Sequence, residues 1–247
     1  MRFSDYIGIV ILIALGALVF TLSDGVRKVN RFFASSIPVE YIPELVLIEI
    51  KNGAEKSQIY VGKYEVTLEQ WKYCYQSGGC SYMPKTLASA KDDHPVTGVN
   101  WADVNEYIKW LSKNTKEEYR LPTAKEWAFI ADDVVDNSDE KLFDDPRLAW
   151  AADYINYEQK SRVTKTIGSF GENRFGIYDL SGNVWEWASD CWQSSDEKLK
   201  TKSCRTRVIL GEHQGAMSDF IRNPIAGGCS IGLVPSNLGF RIIKSYH

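Results

Sequence analysis

The chain has 247 residues, a formal net charge of −3 and an ordinary apolar content, but it is rich in aromatics, with eight tryptophans and thirteen tyrosines. That length suits one sizeable domain with an appendage. The slightly acidic balance and the lack of a Lys/Arg cluster argue against nucleic acid as a partner.

The first element is apolar. Tyr6 to Leu22 carries no charge and is just long enough to cross a bilayer as a helix. The run is long for a cleaved signal peptide, and the exit Thr21-Leu-Ser-Asp-Gly25 lacks a clean small-x-small site. No cysteine follows closely, so a lipid anchor is not expected. Residues 1–24 therefore read as an uncleaved, single-pass signal anchor, and residues 25–45 as a tether in which Pro38 and Pro43 stop regular structure.

Two signals of topology disagree. Arg27, Lys28 and Arg31 after the apolar run would hold the following chain in the cytoplasm. The cysteines point outward. Cys74 and Cys80 bracket a five-residue loop that closes easily into a small ring, and Cys191 and Cys204 flank a polar, Lys/Ser-rich excursion. Both pairings make sense only in an oxidising compartment. Large domains are translocated largely regardless of flanking charge, so the cysteines decide. The expectation is a cell (inner) membrane protein whose domain faces the periplasm or exterior; the alternative is four reduced, half-buried thiols.

Strands are expected over Leu45–Ile50 and Gln58–Val66, with Asn52-Gly53 as the turn signal between them. Thr67-Leu-Glu-Gln70 is a capping box opening a short helix to about Tyr75, which the Gly78-Gly79 pair stops. Asn100 to Leu111 is the clearest helix, with Trp101, Val104, Ile108 and Leu111 on one stripe. Thr123-Ala-Lys-Glu126 is a second capping box, starting a helix to about Ala131. The acids from Asp132 to Asp145 show no fixed ligand spacing and read as a solvated loop.

Gly171 to Trp187 is the densest stretch. Its glycines permit tight turns with exposed carbonyls. Asp179 and Glu186 are hard oxygen donors of the kind calcium prefers. The alternation of Val184 and Glu186 with Trp185 and Trp187 suggests an extended segment with unlike faces. It reads as a cation-stapled corner or a tryptophan-rich core edge.

Here the chain resembles the formylglycine-generating enzyme (sulfatase-modifying factor) family. Phe175-Gly-Ile-Tyr-Asp-Leu-Ser-Gly-Asn-Val-Trp-Glu-Trp187 is similar to the family's central signature. Val61–Thr67, His94–Trp101, Tyr119–Trp127, Thr206–Val208 and Asn237–Arg241 match further motifs in the family's order, covering roughly residues 46 to 244. The resemblance implies an irregular, loop-rich α+β domain over 46–247, similar to the C-type lectin fold. It implies a structural calcium ion held by the carboxylates of Asp179 and Glu186 and the carbonyls of Gly182 and Val184. Without the ion, Asp179 would cap a turn and Glu186 would pair with an arginine such as Arg241. A second family calcium site would use Asn156 and Tyr157, but the stretch Glu158–Arg162 lacks its acidic partner.

Active members of the family oxidise a substrate cysteine to formylglycine with copper bound by two cysteines beyond the Arg-Val strand. Soft thiolates suit Cu(I). Here Arg207 to Arg222 contains no cysteine, and Cys229 stands alone in the last forty residues. No copper is expected. His213 and Met217 lie four apart and could imitate copper ligands, although such a pair is more often packing. The family's iron-dependent branch needs several histidines, and this chain has His94, His213 and His247. Trp71, Trp101, Trp110, Trp127, Trp185 and Trp187 read as core or loop pins, and Arg120 and Arg241 as forks for buried acceptors.

The expected function is a membrane-anchored, extracytoplasmic binding or scaffold module serving a membrane or envelope complex through protein contacts. Its contact face would carry Glu212, His213, Gln214, Met217 and Cys229. The alternatives are an oxidase with a displaced site at Cys229, His213 and Met217, and a lectin-like binder using surface tryptophans.

Overall fold

A computed structural model describes residues 37–52, 55–85, 90–134, 163–192, 204–211, 214–218 and 234–246. The apolar run from Tyr6 to Leu22, the acids beyond residue 134, Asn156, Tyr157, Glu212, His213 and Cys229 lie outside these residues. Among the described residues, no helix is long and apolar enough to cross a membrane.

The first sheet begins with a hairpin. Strands β1 (Leu45–Asn52) and β2 (Glu55–Gly62) pair antiparallel from Leu45↔Gly62 to Asn52↔Glu55. Asn52, expected in the turn, is the last residue of β1 and pairs with Glu55. The expected second strand runs on to Val66, but β2 stops at Gly62. There the chain leaves the ladder: the Gly62 amide donates to Ile242 O (2.8 Å), and Gly62 O accepts from Arg241 (3.0 Å). Strands β3 (Tyr119–Arg120) and β8 (Ile243–Ser245) complete the order β1-β2-β8-β3.

Three helices follow from local chemistry. Helix α1 (Leu68–Gln76) starts at Thr67, whose hydroxyl accepts from the Gln70 amide (3.2 Å) while the Gln70 side chain accepts from the Thr67 amide (3.0 Å). Helix α2 (Trp101–Thr115) has the same reciprocal cap between Asn100 and Asp103, and it runs four residues past the expected Leu111 to a left-handed Lys116. Its buried stripe is Val104, Tyr107, Ile108, Trp110 and Leu111, whereas Trp101, expected on that stripe, is half-buried. Helix α3 (Ala124–Ala131) is capped by Thr123 and Glu126.

The second sheet has the order β6-β5-β4-β7, with β4 (Trp185–Cys191), β5 (Thr206–Leu210), β6 (Gln214–Ser218) and β7 (Leu238–Gly239); β7 runs parallel to β4. The first four residues of β4 are all buried, so this segment is covered on both faces, not on one. One core cluster joins residues of both sheets, among them Ile59, Ile243 and Val208, to Trp127 and Ile130 of α3. An aromatic cluster joins the other two helices: Trp71 stacks on Tyr107 (centroids 5.7 Å), and Phe240 meets both rings edge-on. This is an α+β fold, as expected.

Candidate functional site

The densest polar chemistry lies where the two sheets meet the Gly171–Trp187 stretch. Arg241 is fully buried. Its Nε donates to both oxygens of Glu186 (2.9 and 2.8 Å), and Nη2 donates to Glu186 Oε1 (2.7 Å) and Tyr178 O (3.0 Å). With Nη1 on Gly62 O, one guanidinium joins β2, the turn at Tyr178 and β4. Trp127 of α3 adds a fourth element, its Nε1 donating to Glu186 Oε2 (2.8 Å). A buried charge pair is tolerable only when its remaining groups are hydrogen-bonded, and here each guanidinium nitrogen and both carboxylate oxygens have a partner.

Asp179 is equally buried and sits at φ 64°. Its carboxylate accepts the amides of Phe170 (2.8 Å) and Gly168, while its own amide donates to Gly171 O (3.0 Å). The carboxylate thus caps the turn between Ile167 and Gly171. A Cβ at Gly182 would come 2.3 Å from the Phe170 ring, so that exposed ring would have to move aside. The amide of Val184 donates to Gly182 O (2.8 Å).

As arranged, the carboxylates of Asp179 and Glu186 offer calcium no oxygen free of a hydrogen bond. Both Glu186 oxygens are held by Arg241 and Trp127, both Asp179 oxygens by backbone amides, and Gly182 O by Val184. A divalent cation bound to Glu186 would face the guanidinium and displace its donors. The geometry is the one expected without an ion: Asp179 capping a turn, Glu186 paired with Arg241.

Sequence reasoning missed Glu65. It is buried, and neither carboxylate oxygen has a hydrogen-bond partner among the described residues. Burial pushes its carboxyl well above the usual carboxylate range; nearby Arg241 opposes the shift, and Asp179 and Glu186 add to it. Its place in the Tyr-Glu-Val-Thr motif gave no signal of this, because the three charged neighbours come from distant parts of the chain.

Both expected disulfides are formed. Cys74–Cys80 and Cys191–Cys204 span Cα separations of 5.4 and 5.5 Å. Beside the second lies another arrangement that sequence reasoning did not find. The Arg207 guanidinium sits 3.6 Å from the centroid of the Trp101 ring, and its Nη1 donates to Ser189 O (2.9 Å). The Trp101 indole N–H is 3.4 Å from Ala188 O.

The expected contact face is only partly visible. Gln214, at the start of β6, is exposed, but Met217 on the same strand is buried and presents no free surface. His94 is buried with its Nδ1 3.1 Å from the Thr164 hydroxyl, a structural role. Arg120 forks onto Glu126 (2.8 and 2.6 Å), as expected. Five of the six motif tryptophans are buried, and the ring of the sixth, Trp101, carries Arg207.

A family description, the sulfatase-modifying factor enzyme 1-like domain, matches residues 51–246. The chain belongs to this family. A formylglycine-generating enzyme of Bos taurus is 30% identical over 147 residues, which are 52% of this chain and 37% of the relative. The family member named inactive C-alpha-formylglycine-generating enzyme 2, also of Bos taurus, is 26% identical over 207 residues, 80% of this chain and 64% of the relative. The chain thus spans less than two thirds of the length of these curated family members. Among solved structures, PvdO from Pseudomonas aeruginosa superposes with a TM-score of 0.56 at 18% identity, over 87% of this chain and 98% of its own. At that identity the likeness concerns the fold.

Proposed function

We propose that the chain is a non-catalytic member of its family, anchored in the membrane through its apolar N-terminal segment, with its domain outside the cytoplasm and acting there through protein contacts. One observation carries this reading. Of five cysteines, four are closed into two disulfides, which leaves Cys229 as the sole candidate thiolate. The copper chemistry of the family needs two, since a single thiolate cannot form the soft two-coordinate site.

Three further facts support it. The bovine relative named as inactive aligns over more of this chain than the bovine enzyme does. Met217, one leg of a displaced copper site, is buried at 5% exposure. The two disulfides suit an oxidising compartment. The exposed start of β6 at Gln214 and the Cys229 segment supply the contact face, and the partner is a protein of a membrane or envelope complex.

Copper binding tests the reading. Full-length protein equilibrated with Cu(I) and desalted should retain far less than one copper per chain, and Cys229→Ser should leave that value unchanged. Stoichiometric copper lost in Cys229→Ser would establish a displaced metal site instead.

A further inference from the structure

The two disulfides differ in what governs exchange: access to the sulfurs, and how well the departing sulfur carries negative charge. Cys74 and Cys80 are buried, at 0% and 3% exposure, where α1 ends. Cys191 is exposed at the end of β4, and Cys204, just ahead of β5, is half-buried. Arg207 is the cross-strand partner of Cys191 in the β4–β5 ladder. Its Nη1 lies 3.8 Å from Cys191 Sγ. The guanidinium is fixed in place by the Trp101 ring beneath it and by the Ser189 carbonyl. A guanidinium held against a sulfur stabilises the thiolate over the thiol.

We propose that Cys191–Cys204 is a thiol–disulfide exchange site that takes a dithiol as its reductant, with Cys191 as the departing sulfur and Arg207 as the group that receives its charge. One thiolate of the dithiol attacks Cys204 Sγ. The Cys191–Cys204 bond breaks, and its electron pair leaves on Cys191 as a thiolate facing Arg207. The second thiol of the dithiol loses its proton and attacks its own sulfur in the mixed disulfide, releasing Cys204. The dithiol is oxidised by two electrons to a disulfide, the protein pair is reduced by two, and the two protons from the dithiol pass to solvent or to the freed cysteines. The reverse reaction, reduction of an incoming disulfide by the protein dithiol, is the less favoured, because the same cation stabilises the reduced protein.

Opening this bond does not require unfolding. β4 stays paired to β5 through Glu186↔Leu210 and Trp187↔Ile209, and β5 to β6 through five residue pairs. What is released is only the covalent link beside the Cys191↔Arg207 pair, where the Trp192 amide also donates to Thr206 O (2.9 Å). The site stands apart from the contact-module reading and does not depend on it.

The test is a timed reduction of the full-length protein with limiting dithiothreitol at neutral pH, quenched by alkylation and read by peptide mass spectrometry. Cys191 and Cys204 should be labelled at least about tenfold faster than Cys74 and Cys80, with the circular dichroism spectrum unchanged. Arg207→Met should slow that pair severalfold and leave Cys74–Cys80 untouched, with Arg207→Lys in between. If Arg207→Met fails to fold, the alkylation rate of reduced wild-type Cys191 against pH decides. Its midpoint should lie below that of Cys204 and below the ordinary thiol value of about 8.5. Both disulfides opening together, an unchanged rate in Arg207→Met, or a Cys191 midpoint at or above the ordinary value would each overturn the proposal.

Discussion

Arg241 joins groups far apart in the chain, with Gly62 lying 179 positions away. Replacing it strands a charge. In Arg241→Met the Glu186 carboxylate would lose all its donors except Trp127, inside a fully buried site. Breaking a buried pair in this way costs about 3–5 kcal/mol, so urea denaturation should show a large fall in midpoint at nearly constant slope. Arg241→Lys should recover little, because an ammonium cannot reproduce the planar fork. The same geometry makes a statement about calcium. An ion bound to the folded chain at a hundred times its dissociation constant would add about 2.7 kcal/mol. We expect EGTA to leave the melting temperature where it is; a clear drop, restored by calcium, would put the ion back between Asp179 and Glu186. The residue types here were legible, since Asp179, Glu186 and Arg241 all stand out in the sequence. Which of them pair was not, because pairing depends on where the sheets meet, and Glu65 gave no sign of its isolation.

Secondary-structure elements were most legible where their chemistry is local. The Thr67-Gln70 and Thr123-Glu126 boxes close within four residues, and both helices start where the sequence places them. Strand β2 was placed too far along the chain, since it begins at Glu55 instead of Gln58 and ends at Gly62, where the chain turns to Ile242 and Arg241. The third helix offers a pH test. Burial pushes the Glu126 carboxyl up, but Arg120 and Thr123 outweigh that and hold it below the ordinary range. A group depressed in the folded state contributes stability above its unfolded pKa, and that contribution is lost as pH falls through the folded value. Thermal melts should therefore show wild type losing its advantage over Glu126→Gln progressively below about pH 4.3, the ordinary value for Glu. An unchanged gap down to strong acid would show that Glu126 is not held ionised. Thr123→Ala, which removes the hydroxyl cap, should cost about 1 kcal/mol at neutral pH.

For the whole molecule, the balance of cysteines decides. The short Cys74–Cys80 ring and the stapled excursion between Cys191 and Cys204 were readable from spacing, and both are closed. The family motifs were readable as well, and the match over residues 51–246 bears them out. The exposure contrast between the two disulfides was not readable, because it follows from where each sits on its sheet or helix. Neither was the burial of Met217, which a polar-looking stretch concealed. Four of the five cysteines are closed into the two cross-links. The most direct test is turnover. Full-length protein, supplied with Cu(I), oxygen, a thiol reductant and a cysteine-containing sulfatase peptide, should leave the peptide's mass unchanged. Conversion of that cysteine to formylglycine, dependent on Cys229, would contradict the account.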